Sequence, residues 1–303
     1  MVTYHPAETT LQSSVRAAAA ELDRLIVVDN STDPAEQRLV DRVVRDGVTT
    51  REGRPPEVCG RHGNVGLPRA LNEGLRRGLE EGLSLFLLLD QDSVLQPGAA
   101  TALLDAYAQL SSRLANVELS ARNVDESPSQ FQNLLDQVFY RSSKSADSTP
   151  RRSPLAMTSG LLLSAAVLRT TGFFDESLFL DAVDHEFCLR SWRLGAPLYV
   201  EPRAEIHHAL GRPRRARWGP FSVELRGAEE PRLYYSTRDT LKVARRHLRV
   251  RPLVCGTMFG FIASRSVIYG LLSRSQPGWF RAICRGWADF LRGADQPLIP
   301  RAV

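Results

Sequence analysis

Three groups of acidic residues stand where chemistry can be done. The first is Leu89-Asp90-Gln91-Asp92-Ser93, at the end of the apolar run Leu85–Leu89. Two hard oxygen donors there suit Mg²⁺ or Mn²⁺ carrying a phosphate ester. If the segment is extended, alternate residues point the same way and both carboxylates face one site. The second is Asp29, closing the run Leu25-Ile26-Val27-Val28. It can accept a hydrogen bond from a base imide or a ribose hydroxyl, or cap a helix starting near Pro34. The third is Asp181-Ala182-Val183-Asp184-His185-Glu186. Asp181, Asp184 and His185 share a face if this stretch is helical. Each group alone also fits a plainer use, as a solvated turn, a cap or a dipole-stabilising helix start. His207-His208 can likewise be structural or include a metal ligand.

The elements that must position these groups alternate between strand and helix. Apolar runs of four and five residues within 24–28 and 85–89, bounded by turn residues, read as buried strands. A clipped strand is expected at Met1–Tyr4, a helix over Thr10–Leu22, and a short strand over Glu57–His62. Leu67, Leu71, Leu75 and Leu79 recur at helical spacing after Gly63-Asn64-Val65-Gly66. That turn at a helix start offers backbone N–H groups to an anion, although a plain left-handed turn would look the same. It matches neither the dinucleotide fingerprint nor the P-loop. A helix is expected near Gly98–Leu110, a long polar loop or lid over Ser120–Pro154, and strands at Ala156–Leu163, Pro197–Val200 and Ala204–His208. Ligands of open α/β sheets bind at the carboxyl ends of strands, where Asp29, Asp90 and Asp92 fall.

The net charge of +5 comes from 39 basic and 34 acidic residues. Lysine occurs only at 144 and 242, and arginines crowd the chain after Arg203. Such a basic half directs attention to nucleic acid, anionic membranes or phosphorylated substrates. A GC-rich genome would produce the same arginine bias. The aromatics and arginines lie beside the apolar run Leu253–Leu272, which favours a lipid surface over nucleic acid. Arg265 within that run argues against a full membrane span. Cys59, Cys188, Cys255 and Cys284 have no Cys-x-x-Cys spacing and read as buried, reduced thiols of a cytosolic protein. The first residues lack a charged region followed by an apolar core, so a secretory leader is not expected.

Taken in order, Val2-Thr3-Tyr4 with Val27-Val28-Asp29-Asn30, Gly63-Asn64-Val65-Gly66, Asp90-Gln91-Asp92, and Phe174-Asp175-Glu176 with Asp184 resemble family 2 glycosyltransferases of the GT-A fold. The spelling Leu178-Phe179-Leu180-Asp181-Ala182-Val183-Asp184-His185-Glu186-Phe187-Cys188-Leu189-Arg190, with His208-Ala209-Leu210-Gly211 and Tyr234-Tyr235 before Arg238, is similar to the bacterial rhamnosyltransferase branch. The chain departs from that branch at His5, where Asn is usual, and at Arg212, where an acidic residue is common. The resemblance implies a mixed central sheet, Rossmann-like and flanked by helices. A catalytic domain would cover residues 1–211 and a helical, membrane-surface and acceptor-side region residues 212–303.

It also implies an inverting, Mn²⁺- or Mg²⁺-dependent transfer from a nucleotide-sugar, foremost dTDP-L-rhamnose, to a glycan or polyprenyl-linked glycan of cell-surface polysaccharide synthesis. Asp184 would be the catalytic base, with Asp92 and His208 on the metal. Thr3, Asp29, Asn64, Gly63, Gly66, Asp90 and Gln91 would line the donor. Asp181, Glu186 and Arg190 would lie on the acceptor side. The expected location is cytoplasmic and peripheral, on the inner face of a bacterial membrane, with no nucleic acid partner. A UDP-dependent galactofuranosyl- or other hexosyltransferase is the nearest alternative. A catalytically silent nucleotide-sugar or glycolipid binder is an alternative from another class.

Overall fold

The computed structural model describes residues 1–124, 149–208, 214–218, 221–225, 229–272 and 277–294. Most of the expected lid, and Ala209-Leu210-Gly211, lie outside the described residues. The chain divides into two compact units. The first comprises Met1–Phe174 and Arg190–Ala209, the second Asp175–Leu189 and Leu210–Val303. Asp175–Leu189 thus groups with the C-terminal residues, where Phe179 packs against Tyr234 and Tyr235.

In the first unit, β1 (Val2–Thr3), β2 (Ile26–Asp29) and β3 (Glu57–Gly60) form a parallel sheet in that order. A second sheet has the order β4 (Leu85–Leu87), β8 (Leu161–Ser164), β6 (Glu118–Asn123), β9 (Leu198–His208), β5 (Ser93–Leu95), with β7 (Arg151–Ser153) also on β9. A parallel bridge between Val2 and Asp90 joins the two sheets, and Val2 N–H donates to the Leu89 carbonyl at 3.3 Å. The helices are α1 (Glu8–Glu21), α2 (Pro34–Arg45), α3 (Leu67–Glu80), α4 (Ala99–Ser111) and α5 (Ala165–Thr171). The apolar faces of α1, α2 and α4 meet Val27, Leu119 and Ile206 of the sheets in one core. Asp33, not Asp29, caps α2, accepting from the Ala35 N–H at 2.7 Å. Glu21 of α1 accepts from the N–H groups of Gly98 and Ala100 at the start of α4.

Two expectations change. β6 forms where a polar loop was expected, because Glu118–Asn123 pairs on both edges, with β8 and β9. Long-range pairing there outweighs a polar local pattern. The two short strands expected at 197–200 and 204–208 are one, β9. Its register shifts from Ala121↔Glu201 to Arg122↔Glu205, a bulge that breaks the alternation read from sequence.

The second unit contains most of α6 (Val183–Arg193), the hairpin β10 (Arg214–Trp218) and β11 (Phe221–Leu225), and α7 (Glu230–His247), α8 (Pro252–Leu271) and α9 (Pro277–Arg292). α7 packs against α8 and α9 and is polar in composition, yet Leu233–Ala244 is buried without interruption. Arg238 and Asp239, both fully buried, pair at 2.7 Å. Asp239 also accepts from the Phe179 N–H at 3.0 Å, and Arg238 lies over the Tyr234 and Tyr235 rings. Gly286 lets α9 close onto α7, since a Cβ there would stand 2.9 Å from the Tyr234 carbonyl oxygen. Arg265 of α8 turns inward and donates to the hydroxyls of Ser236 at 2.8 Å and Thr237 at 3.1 Å. The four cysteines are free; Cys188 and Cys255 are buried, but Cys284 is exposed on α9, a correction to the reading of all four as buried.

Candidate active site

The donor-side groups gather at the carboxyl ends of β1 and β2 and in the turn after β4. Thr3 is buried and donates its hydroxyl to Asp29 Oδ1 at 3.1 Å. The same oxygen accepts from the Ser31 N–H at 3.0 Å. Asp29 Oδ2 is buried with no hydrogen-bond partner, and so is the Ser31 hydroxyl. An unsatisfied buried acceptor costs about 1–3 kcal/mol, so it calls for an explanation such as an absent ligand's donor. Gly60 next to Asp29 adopts φ +92°, and a Cβ there would meet the Asp29 carbonyl oxygen at 2.8 Å. Only glycine permits that approach.

Asp90 and Asp92 do not lie on an extended segment. The Ser93 N–H donates to the Asp90 carbonyl at 3.2 Å, which closes a tight turn. This corrects the alternation argument: a reversal of the chain, rather than a strand period, presents the two half-buried carboxylates. Ser159 pins both ends of the turn, accepting from the Asp90 N–H at 3.2 Å and bonding the Ser93 hydroxyl at 2.6 Å. Gln91 forms a two-point clamp on Tyr4, accepting from its N–H and donating to its carbonyl, both at 2.8 Å. Gln91 thus ties the acidic turn to β1, a role the donor-lining expectation did not include. The register of β5 with β9 places His208 opposite Ser93, one residue from Asp92.

The turn before α3 is engaged internally. Asn30 accepts from the Val65 N–H at 3.0 Å and donates to Asn64 at 3.2 Å; Asn64 in turn accepts from the Gly66 N–H at 3.2 Å. Two of the N–H groups expected to cradle an anion are therefore already used. Gly63 and Gly66 have φ of +76° and +87° and shape the turn. Their contribution to a nucleotide site is the conformation they allow Asn64.

In the second unit, Asp184 opens α6 with its side chain about one-fifth exposed, and its Oδ1 accepts from the His185 N–H at 2.8 Å. Ala182 before it has φ +62° while accepting from the Glu186 N–H at 2.9 Å. A non-glycine residue in that region stores strain of the order of 1 kcal/mol, a recurrent feature of functional sites. Asp181 pairs with Arg232 at 3.4 Å. Glu186 is buried 3.5 Å from His247 and 3.7 Å from Arg246, and Asp175 also pairs with Arg246. In the first unit, Arg190 donates to the carbonyls of Thr171 and Phe173 and holds that turn. Glu186 and Arg190 therefore have packing roles beside the acceptor-side role expected of them. Ser159 and Asn30 were not singled out in the sequence, which carries no local sign of side-chain bonds to residues 34 to 69 positions away.

Among the described residues no three His, Cys, Asp or Glu side chains are grouped to hold a metal. A carboxylate pair in a turn, with a histidine at the neighbouring register position, fits an ion that keeps waters and takes substrate phosphates as its remaining ligands. That is how Mg²⁺ is usually held, rather than in an all-protein cage.

The sequence pattern of glycosyl transferase family 2 matches residues 1–164. The chain is similar to the dTDP-rhamnosyl transferase RfbF of Shigella flexneri, at 25% identity over 282 residues, 88% of this chain and 86% of that protein. Among solved structures, a mannosyltransferase from Pyrobaculum calidifontis in complex with GDP-Man and Mn²⁺ aligns over 97% of this chain and 86% of its own, with TM-score 0.57 and 14% identity. GalNAc-T7 with UDP, GalNAc and Mn²⁺ aligns over 68% of this chain, with TM-score 0.51 and 14% identity; this chain covers only 42% of that protein. Likeness at this level carries the fold, the GT-A arrangement expected from sequence.

Proposed function

The chain belongs to glycosyl transferase family 2, and on that premise we propose an inverting, metal-dependent transfer of L-rhamnose from dTDP-L-rhamnose to a hydroxyl of a cell-surface or lipid-linked glycan. The observation that carries this reading is the tie between Thr3, Asp29 and the Asp90–Asp92 turn at one sheet edge. Asp29 Oδ2 takes the imide N–H of the base, after a small side-chain movement that opens this buried atom. Asp90 binds the ribose, and Asp92 with His208 holds Mn²⁺ or Mg²⁺. When bound, the metal neutralises charge on the departing diphosphate. Asp184 accepts the proton of the acceptor hydroxyl as its oxygen attacks the anomeric carbon opposite the leaving group. A single displacement needs one such base and no protein nucleophile. The dTDP-rhamnosyl transferase supports the choice of sugar over a UDP-hexose.

A panel of nucleotide-sugars with and without Mn²⁺ tests the donor. A ligand that binds only the native state raises the melting temperature. The expected result is a metal-dependent rise with dTDP-rhamnose and little with UDP-sugars. A rise with a UDP-sugar alone would replace the sugar, and no rise with any donor would favour a silent binder.

The proposed location is the cytoplasmic face of a bacterial membrane. α8 is long and apolar enough to cross a membrane by length and composition, but its half-buried Arg265, turned toward Ser236 and Thr237, supports an interfacial placement. Its outward stripe runs through Leu253, Gly260, Val267, Ile268 and Leu271, with Leu253 85% and Val267 63% exposed. Exposed Arg281, Arg285 and Arg292 on α9 supply charge for anionic headgroups. Leu253→Glu with Val267→Glu, in the full chain, should cut cosedimentation with phosphatidylglycerol vesicles at least tenfold and leave the melting temperature nearly unchanged. Retained vesicle binding would overturn the assignment. Loss of self-association without any vesicle binding in the parent would assign the stripe to a second copy.

A further inference from the structure

The groups read as the donor site are carried by two different sheets of the first unit. Thr3 and Asp29 belong to the three-stranded sheet, where they are register partners and the Asn30 N–H donates to the Thr3 carbonyl at 2.9 Å. The residues that follow Thr3 are fastened to α2. His5 Nδ1 lies 2.5 Å from Glu36 Oε1, and the His5 ring leans on that of Tyr4 with centroids 4.0 Å apart. The Asp90–Asp92 turn leaves β4 of the other sheet and is fastened there. The Leu88 N–H donates to the Leu161 carbonyl at 2.9 Å and the Gly160 N–H to the Leu88 carbonyl at 2.8 Å, while Ser159 holds the turn itself. A base and a diphosphate of one donor therefore meet groups that stand on separate frames.

The backbone link between the frames is thin. The Val2 N–H reaches the Leu89 carbonyl at 3.3 Å, long for such a bond, and the turn at Asp90 then carries the chain away from β1. At Tyr4 a side chain takes over. The Gln91 amide accepts from the Tyr4 N–H and donates to the Tyr4 carbonyl, both at 2.8 Å, which are the two bonds a neighbouring strand residue makes. Thr3, between Val2 and Tyr4, is thus held against the turn on either side. The residue type matters. Asn is one methylene shorter, and an ionised Glu sets a second acceptor against the Tyr4 carbonyl.

We propose that Gln91 is a positioning residue, which locks the Thr3–Asp29 pocket of one sheet to the Asp90–Asp92 turn of the other so that filling either place orders its partner. The proposal rests on the donor reading above. Its side chain touches the Tyr4 backbone and acts on the donor through Thr3 and the two carboxylates. Base recognition and metal-assisted diphosphate binding are then energetically coupled, and the coupling is the same in both directions.

The test measures dTDP affinity by calorimetric titration, in EDTA and in saturating Mn²⁺, for the parent, Gln91→Ala and Gln91→Asn. The gain in affinity on adding Mn²⁺ should fall at least about fivefold in both variants, the low end of usual coupling between sites. Affinity in EDTA should change by less than about threefold, since the lost bonds are exposed and do not touch the nucleotide. Thr3→Val supplies a second readout. In the parent it should lower the Mn²⁺ gain as well as the affinity in EDTA; in the Gln91→Ala background it should lower only the affinity in EDTA. Such non-additivity is the mark of coupling. A purely structural Gln91 would lower the melting temperature and both affinities together. That result, or a Mn²⁺ gain within a factor of about two of the parent's, would overturn the proposal. A parent chain whose dTDP affinity shows no Mn²⁺ gain would instead overturn the donor reading, and this proposal with it.

Discussion

Asp184→Asn should lower the rate of sugar transfer by about 10²–10⁴-fold, the usual contribution of a positioned general base, while nucleotide-sugar binding stays within a factor of about two. The substitution keeps an oxygen able to accept the His185 N–H, so the first turn of α6 retains its bond. What it removes is the capacity to take a proton. A stability difference of under about 1 kcal/mol is expected, because Asp184 is partly exposed and its replacement leaves no cavity. Single-turnover kinetics, read beside calorimetric titration of the donor, separates the two effects. A variant that transfers at the parent rate would take Asp184 out of the reaction, and one that loses donor binding equally would make it a binding residue.

Asp92→Ala is the second large effect, and its signature differs. It should abolish the Mn²⁺-dependent part of nucleoside diphosphate binding and reduce transfer by roughly 10²–10³-fold, the rate equivalent of several kcal/mol of charge stabilisation. Folding should survive, because the turn is closed by the Ser93 N–H on the Asp90 carbonyl and by Ser159, both independent of the Asp92 carboxylate. Binding of dTDP in the presence of EDTA should be the same in variant and parent. If Mn²⁺ still strengthens dTDP binding in Asp92→Ala, the ion is held elsewhere. The pair of variants thus separates a defect in proton transfer from one in carrying the diphosphate.

Strand ends were legible because apolar runs stop sharply at Asp29 and Asp90, and α3 because its leucines keep a strict period. The use made of the polar residues was not. Gln91 reads as the spacer of an Asp-x-Asp motif, yet its amide clamps a backbone 87 positions away. Asn30 and Asn64 read as turn residues, and they consume N–H groups that would otherwise face an anion. α7 shows no apolar face wide enough to foretell its burial. Asp239 and the hydroxyls of Ser236 and Thr237 find partners in Phe179, Arg238 and Arg265, which composition cannot reveal. Local pattern therefore reports where a chain bends and buries, whereas hydrogen-bond partners depend on which distant elements arrive.

The grouping of Asp175–Leu189 with the C-terminal helices bears on how such enzymes can be recombined. Asp175 and Glu186 are held by Arg246 and His247, and Phe179 by Asp239. A graft that exchanged only residues beyond Leu210 for those of a relative would separate these partners and leave carboxylates without their cations. The heritable block is discontinuous: two stretches of sequence, one of them fifteen residues long, must travel together. Divergence within this block should then proceed by matched changes across the gap, and a chimera should be cut on both sides of Asp184 rather than once behind it.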